Sequence, residues 1–303
     1  MKLLLTFFIC INYLFAIDIG NINIKNDQNI MLISQDINNI LKSYKIKSEI
    51  KTNNNSIEAI KTIINNTSNN YFSIVNSDVI KYYNKDSNQS RSIYSKIPAI
   101  LSLGEEQLHI FTNQNNEFEF DIKKDYKVYC GNKESDSCIS AHFIENIYEF
   151  NFTYVDSSFE TIQEDLKTNN IDLFISVKKA PYIEFEEFTS LKLIDLPTNF
   201  NMEDMYISKQ LKSNMYKFLD NDIHIYSVKQ VLITNLKEDK YKSLINNIIK
   251  VIVLNKDYLI KSNTSVWSGV DFSYTKYKKF LKSAKETILR LDEKQKQSDA
   301  MKF

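Results

Sequence analysis

The sequence predicts an α/β protein made of two successive sheet-and-helix units. Three observations predict it. Apolar strand runs alternate with helical periodicity from Ile17 to Val75, a second alternation starts at Tyr126, and a chain of 303 residues with 43% hydrophobic side chains can bury two cores.

Each element follows from local pattern. Ile17-Asp18-Ile19-Gly20 reads as a strand, and Ile30, Ile33, Ile37, Ile40 and Leu41 recur at helical spacing. Ser48 to Thr52 is a second strand. Asn55 then caps a helix carrying Ile60, Ile63 and Ile64, with Glu58 as its capping-box partner. Tyr71 to Val75 is a buried strand, and Ile97 to Thr112 holds two more around Gly104. Asn113 to Lys124 is polar and reads as a crossing. The second unit opens at Tyr126-Lys127-Val128-Tyr129, and a helix starting after Ser135 or Ser137 carries Ile139, Phe143 and Ile147. Phe152 to Val155 is a strand, and Asp156-Ser157-Ser158 caps a helix bearing Phe159, Ile162 and Leu166. Ile171 to Val177 and Leu191 to Leu196 are strands, the first buried on both faces. His224 to Asn235 is a long apolar strand. A helix through Tyr241, Leu244, Ile248 and Ile249 follows it, and Tyr274 to Lys294 forms a charged amphipathic helix. The expected division is residues 1–16 as a signal peptide, 17–112 plus 223–303 as one lobe, and 113–222 as the other.

The N-terminus has the layout of a cleaved secretory signal. Lys2 precedes the apolar run Leu3 to Ile11, and small Ala16 precedes a polar segment. The run is short for a membrane span, although an uncleaved anchor is the other reading. Export to the periplasm is therefore expected. The mature chain then keeps Cys130 and Cys138, an even pair that suggests a disulfide ahead of free thiols or a metal pair. Acidic and basic side chains number 38 each, so no global charge draws the chain to nucleic acid.

Catalytic patterns are weak. No Walker loop, nucleophile elbow, HExxH or Cys-x-x-Cys occurs, no cofactor is implied, and His109 and His224 lie in apolar strand patterns that suit a core role. Ser77 with Asp78, or Glu134 with Asp136, could form an acid/base pair, but no His is expected near Ser77 to activate it, so an enzyme is not expected. The functional pattern is polar residues where strands end and helices begin, since open α/β sheets gather ligands at the carboxyl ends of strands. Asn55-Ser56 and Asn76-Ser77-Asp78 lie at such points in the first unit. Ser135-Asp136-Ser137 and Ala180-Pro181-Tyr182 lie there in the second. Helix N-termini at these points expose N–H groups to a ligand, though Ser, Asn and Asp are also ordinary caps.

From Ile17 to about Phe280 the chain resembles the TAXI family, the solute receptors of one class of TRAP transporters. The resembling stretches are Ile74-Val75-Asn76-Ser77-Asp78-Val79, Leu103 to Ile110, the loop Gly131 to Ser137, and Ile171-Asp172-Leu173 with Ala180-Pro181-Tyr182. Tyr216 ahead of Val228 to Leu232, and Trp267 to Tyr274, complete the order. The loop departs from the family in Glu134 and Asp136, as does Lys179, each of which replaces a glycine. Two loop carboxylates would repel an anion, and lost glycines could reshape the loop. The resemblance implies a type II periplasmic-binding-protein fold, with two lobes, each a mixed sheet flanked by helices. A small solute, a carboxylate or an amino acid such as glutamate, would lie between them and pass to TRAP-type membrane permease subunits. The residues expected to hold it are Asn55, Ser56, Ser77, Asp78, Ser135, Ser137, Pro181, Tyr182 and Tyr216. A sensor or adaptor feeding a signalling partner, and a degenerate receptor acting as an interaction protein, are the alternatives.

Overall fold

A computed structural model describes residues 16–65, 69–86, 97–115, 118–188, 190–267, 270, 272 and 280–300. The signal segment before Ala16, and most of Ser268 to Tyr274, lie outside the described residues, as does the start of the expected C-terminal helix.

The first unit is β1 (Ile17–Lys25), α1 (Gln28–Ser43), β2 (Ile46–Asn53), α2 (Ser56–Ile64), β3 (Asn70–Asn76) and α3 (Ser77–Asp86). β1 lies between β2 and β3 and runs parallel to both. It does not stop at Gly20 as the sequence suggests. Gly20 takes φ +69°, and a Cβ there would meet the Asn69 carbonyl oxygen at 2.1 Å, so only glycine fits. The register shifts there and the strand runs on to Lys25. Asp27 then caps α1, accepting from the amides of Asn29 at 3.0 Å and Ile30 at 3.2 Å. The stripe Ile30, Ile33, Ile37, Ile40 and Leu41 is buried, as its spacing predicts.

Next comes β4 (Ala99–Asn113), one continuous strand where two were expected. Glycine at 104 leaves room for Gln230, whose Oε1 would be 3.0 Å from a Cβ, and does not interrupt the strand. The second unit is β5 (Asp125–Tyr129), α4 (Asp136–Tyr148), β6 (Asn151–Tyr154), α5 (Ile162–Lys167), β7 (Leu173–Lys178), β8 (Leu191–Leu193), α6 (Phe200–Glu203) and β9 (Ile207–Leu211). α5 starts after Thr161, later than the expected cap at Asp156 to Ser158, where Ser157 Oγ donates to Asp165 Oδ2 of α5 at 2.6 Å and Ser158 Oγ accepts from the Thr161 amide at 3.3 Å. Then β10 (Ile223–Thr234) returns to the first unit, followed by α7 (Glu238–Leu254), α8 (Lys256–Ser262), α9 (Thr264–Trp267) and α10 (Lys282–Ala300).

The strands form one path, β2-β1-β3-β10-β4-β7-β5-β6, with β8 on β4 and β9 on β10. β4 and β10 belong to both halves. Ala99 to Gln107 of β4 pairs with β10, and Gln107 to Phe111 pairs with β7. Likewise Ile223 to Ser227 of β10 pairs with β9, and Ser227 to Ile233 with β4. The change of partners falls inside both strands, at the opposed residues Gln107 and Ser227. The expected lobe limits, 112/113 and 222/223, lie at the ends of the same two strands. Among the described residues no helix is long and apolar enough to cross a membrane.

Candidate functional site

The carboxyl ends of β1 and β3 and the starts of α2 and α3 face the starts of α4 and the segment after β7. Polar side chains fill the seam between them. Lys25, at the end of β1, is buried. Its Nζ donates to Glu106 Oε2 of β4 at 2.8 Å and to Asp136 Oδ2 of α4 at 3.0 Å. Ser56 Oγ, at the start of α2, donates to the same Asp136 oxygen at 2.8 Å. Asn76 Nδ2 donates to Glu106 Oε2 at 2.7 Å. Asp78 accepts from Ser140 Oγ of α4 at 2.6 Å and from the Tyr206 hydroxyl at 2.9 Å. Lys178 Nζ reaches across to Asp27 Oδ2 at 2.9 Å, and Lys179 Nζ donates to the Val266 carbonyl. On the surface, Lys61 and Glu134 close the edge at 3.2 Å.

Burial sets the electrostatics. It alone would lower the Lys25 pKa, but the carboxylates of Asp136, Glu106 and Asp27 overcome that and hold the ammonium charged. Glu106 is raised, because burial and the nearby Asp27 and Asp136 charges outweigh its share of Lys25. Asp78 is pushed up to about 6, mainly by burial, with Asp136 adding to it. Asp27 also suffers burial, yet Lys25 and Lys178 pull it down to about 2. One shared ammonium therefore serves several carboxylates.

Behind the seam, His109 is fully buried among Phe111, Phe185 and Tyr216. Burial holds its pKa down to about 3, so the ring is neutral. Its Nδ1 lies 3.0 Å from the Gln107 carbonyl, an acceptor only, which assigns the proton to Nδ1. Nε2 then accepts from the Tyr216 hydroxyl at 2.9 Å, and that hydroxyl accepts from the Tyr182 amide at 3.0 Å.

The structure thus brings Ser56, Ser77, Asp78, Ser137 and Tyr182 to or beside the seam. Asn55 is occupied as the cap of α2, accepting from the Glu58 amide at 2.8 Å. Ser135 caps α4 and donates to the Cys130 carbonyl at 3.0 Å. Ser137 Oγ accepts from the Val177 amide at 2.9 Å and ties α4 to β7. Pro181 follows a cis peptide bond, and the Ala180 amide donates to Gln107 Oε1 at 2.7 Å. Tyr216 lies inside the aromatic core and reaches the seam only through the Tyr182 backbone. Cys130 and Cys138 form the expected disulfide, with Cα atoms 4.8 Å apart. In the loop that it closes, Gly131 keeps φ +87°, while neither Glu134 nor Asp136 takes a positive φ, so the two substituted positions impose no backbone strain. Asp136 is not an exposed loop charge: it is 5% exposed, and its Oδ2 is bonded to Lys25 and Ser56. Sequence reasoning missed Lys25, Asp27, Glu106, Ser140, Tyr206 and Lys178.

No family model matches the chain, and no curated protein matches it. Solved structures do. A structure described as a periplasmic transporter matches at TM-score 0.52 and 10% identity, over 90% of this chain and 94% of its own. The putative sulfonate-transporter protein SsuA of Methylobacillus flagellatus KT, described as a periplasmic sulfonate-binding protein, matches at TM-score 0.51 and 11% identity, over 82% of this chain and 71% of its own. YhfZ of Shigella flexneri matches at TM-score 0.51 and 10% identity, over 80% of this chain and 91% of its own. The chain has the α/β fold of periplasmic binding proteins.

Proposed function

We propose that this protein is an extracytoplasmic binding receptor that closes two lobes over a small polar solute. One observation carries the reading. Polar and charged groups from the carboxyl ends of β1 and β3 meet the start of α4 across a single buried seam, and Asp136 is held from both Lys25 and Ser56. Open α/β folds place their ligands at such strand ends. The lobes are residues 17–107 with 227–303, and 108–226, joined where β4 and β10 change partners. Gln107 Nε2 and Ser227 Oγ, 3.5 Å apart, lie at that crossing and form the hinge. The candidate contacts are Ser56, Ser77, Asp78, Ser137 and Tyr182, with Asn55, Ser135, Pro181 and Tyr216 holding them in place.

The finer reading is that the receptor is TAXI-like, is exported by a cleaved signal, and delivers an amino acid or related solute to a TRAP-type permease. The acid-rich seam favours an amino group over a bare carboxylate. A second reading is a receptor whose seam is closed by its own side chains and which acts through a protein partner. The direct Asp136, Asp78 and Lys178 bridges favour it.

A thermal-shift screen of the mature chain against small amines, amino acids and carboxylates tests the proposal. A solute at a hundredfold excess over Kd adds about 2.7 kcal/mol to the folded state. Stabilisation by one class, reduced in Ser56→Ala, supports a receptor. A well-folded protein that no class stabilises supports the self-closed reading instead.

A further inference from the structure

We infer that the seam selects a small organic cation carrying N–H donors, an alkylammonium or guanidinium compound, and excludes bare carboxylates. This rests on the receptor reading and names its solute class. Three side-chain oxygens at the seam are buried without a hydrogen-bond partner: Asn76 Oδ1, Glu106 Oε1 and Asp136 Oδ1. Their residues are 0%, 0% and 5% exposed. Each belongs to a group already bonded to Lys25 or to Glu106, so the three lie around one cluster. All three are acceptors, and they come from both sides of the seam; Gln230, opposite Asn76 in the sheet, adds one unmatched donor at Nε2. A buried acceptor without a donor destabilises the fold, more so when charged, and a ligand that brings N–H groups relieves it.

The charges agree. Asp27, Asp78, Glu106 and Asp136 face Lys25, Lys178 and Lys179, and beside them Glu105 is paired with Lys209 and Lys229. Lys178 is taken by Asp27, and Lys25 is divided between two carboxylates. An anionic solute would find its natural partners engaged: Lys25 is already neutralised, and the N-terminal end of α4 already holds the Asp136 carboxylate. A cation meets two buried carboxylates, Glu106 and Asp136, that share the one ammonium of Lys25, and its own ammonium completes them.

The test is isothermal titration of the mature chain with 1,4-diaminobutane, agmatine and succinate at equal ionic strength near neutral pH. Asp136→Asn and Glu106→Gln are titrated alongside, with circular dichroism to confirm folding. The expected result is saturable binding of an amine and none of succinate, with Kd weakened about tenfold or more in whichever variant folds. Succinate binding without amine binding would overturn the charge assignment and leave the receptor standing. Binding of neither probe by the folded protein would overturn both. Amine binding unchanged in the folded variants would place the cation elsewhere and overturn this site.

Discussion

Two buried polar regions lie back to back in this molecule and differ in kind. The His109–Tyr216 nest is neutral, enclosed by Phe111 and Phe185, and its hydrogen bonds form a directed chain from the Tyr182 amide through the Tyr216 hydroxyl and the imidazole to the Gln107 carbonyl. The Lys25 seam is charged, spans both halves of the sheet, and leaves three acceptor oxygens unmatched. A satisfied neutral network fixes geometry and asks nothing of a ligand. A charged network short of donors remains able to gain from one. The same fold buries both, so burial alone does not mark function.

The sharpest way to break the comparison is Lys25→Met. It leaves Glu106 and Asp136 buried without their ammonium, and should cost about 3–5 kcal/mol in denaturant unfolding. An unchanged midpoint would mean that water reaches the seam freely.

Asp78→Asn comes next. The folded protein holds the Asp78 proton up to about pH 6, against an ordinary value of 3.8, so the folded state binds the proton more tightly than the unfolded one. Its contribution is therefore favourable below about pH 4 and is lost as pH rises through about 6, a difference of roughly 3 kcal/mol. The asparagine variant should gain up to that amount over the parent at neutral pH and nothing near pH 4. Taking the difference between the two proteins removes the opposing contribution of His109, which favours the folded state above pH 6.5 and is lost as pH falls toward 3. A stability difference that does not vary with pH would place Asp78 in contact with solvent.

Tyr216→Phe tests the neutral nest. It strips a partner from His109 and from the Tyr182 amide, and should cost about 1–3 kcal/mol while weakening solute affinity less than Ser56→Ala does. A large affinity loss with little loss of stability would move Tyr216 into the binding site. Smallest is Lys61→Ala. Its partner Glu134 and the lysine are both about half exposed, so unfolding should shift by less than about 1 kcal/mol.

Much of the fold was legible in the sequence. The alternation of strand and helix, the Ile30 to Leu41 stripe and the Asn55 cap all depend on neighbours close in the chain, and periodicity reports those. The strand-end rule led to Ser56, Asp78 and the Ser135–Ser137 turn, three of the segments that meet at the seam. It missed Lys25 and Asp27 because Gly20 looked like the end of β1, when it is a bulge forced by the close Asn69 carbonyl. Glu106 was hidden in a stretch that Gly104 seemed to divide. The Lys25–Asp136 pair spans 111 positions, and no local pattern reports such a pairing. Asp136 was visible as an unusual carboxylate, but its meaning was inverted: it faces a lysine of the other half rather than a bound anion.

The claim that two lobes close over a solute about Gln107 and Ser227 is tested most directly by distance. Spin labels at positions 61 and 134, which face each other on the surface edge of the seam, report the gap by pulsed dipolar spectroscopy. The account predicts a mixture of long and short distances in the free protein that collapses to the short one on adding an amine that binds. A single short distance, unmoved by every solute that binds, would contradict it.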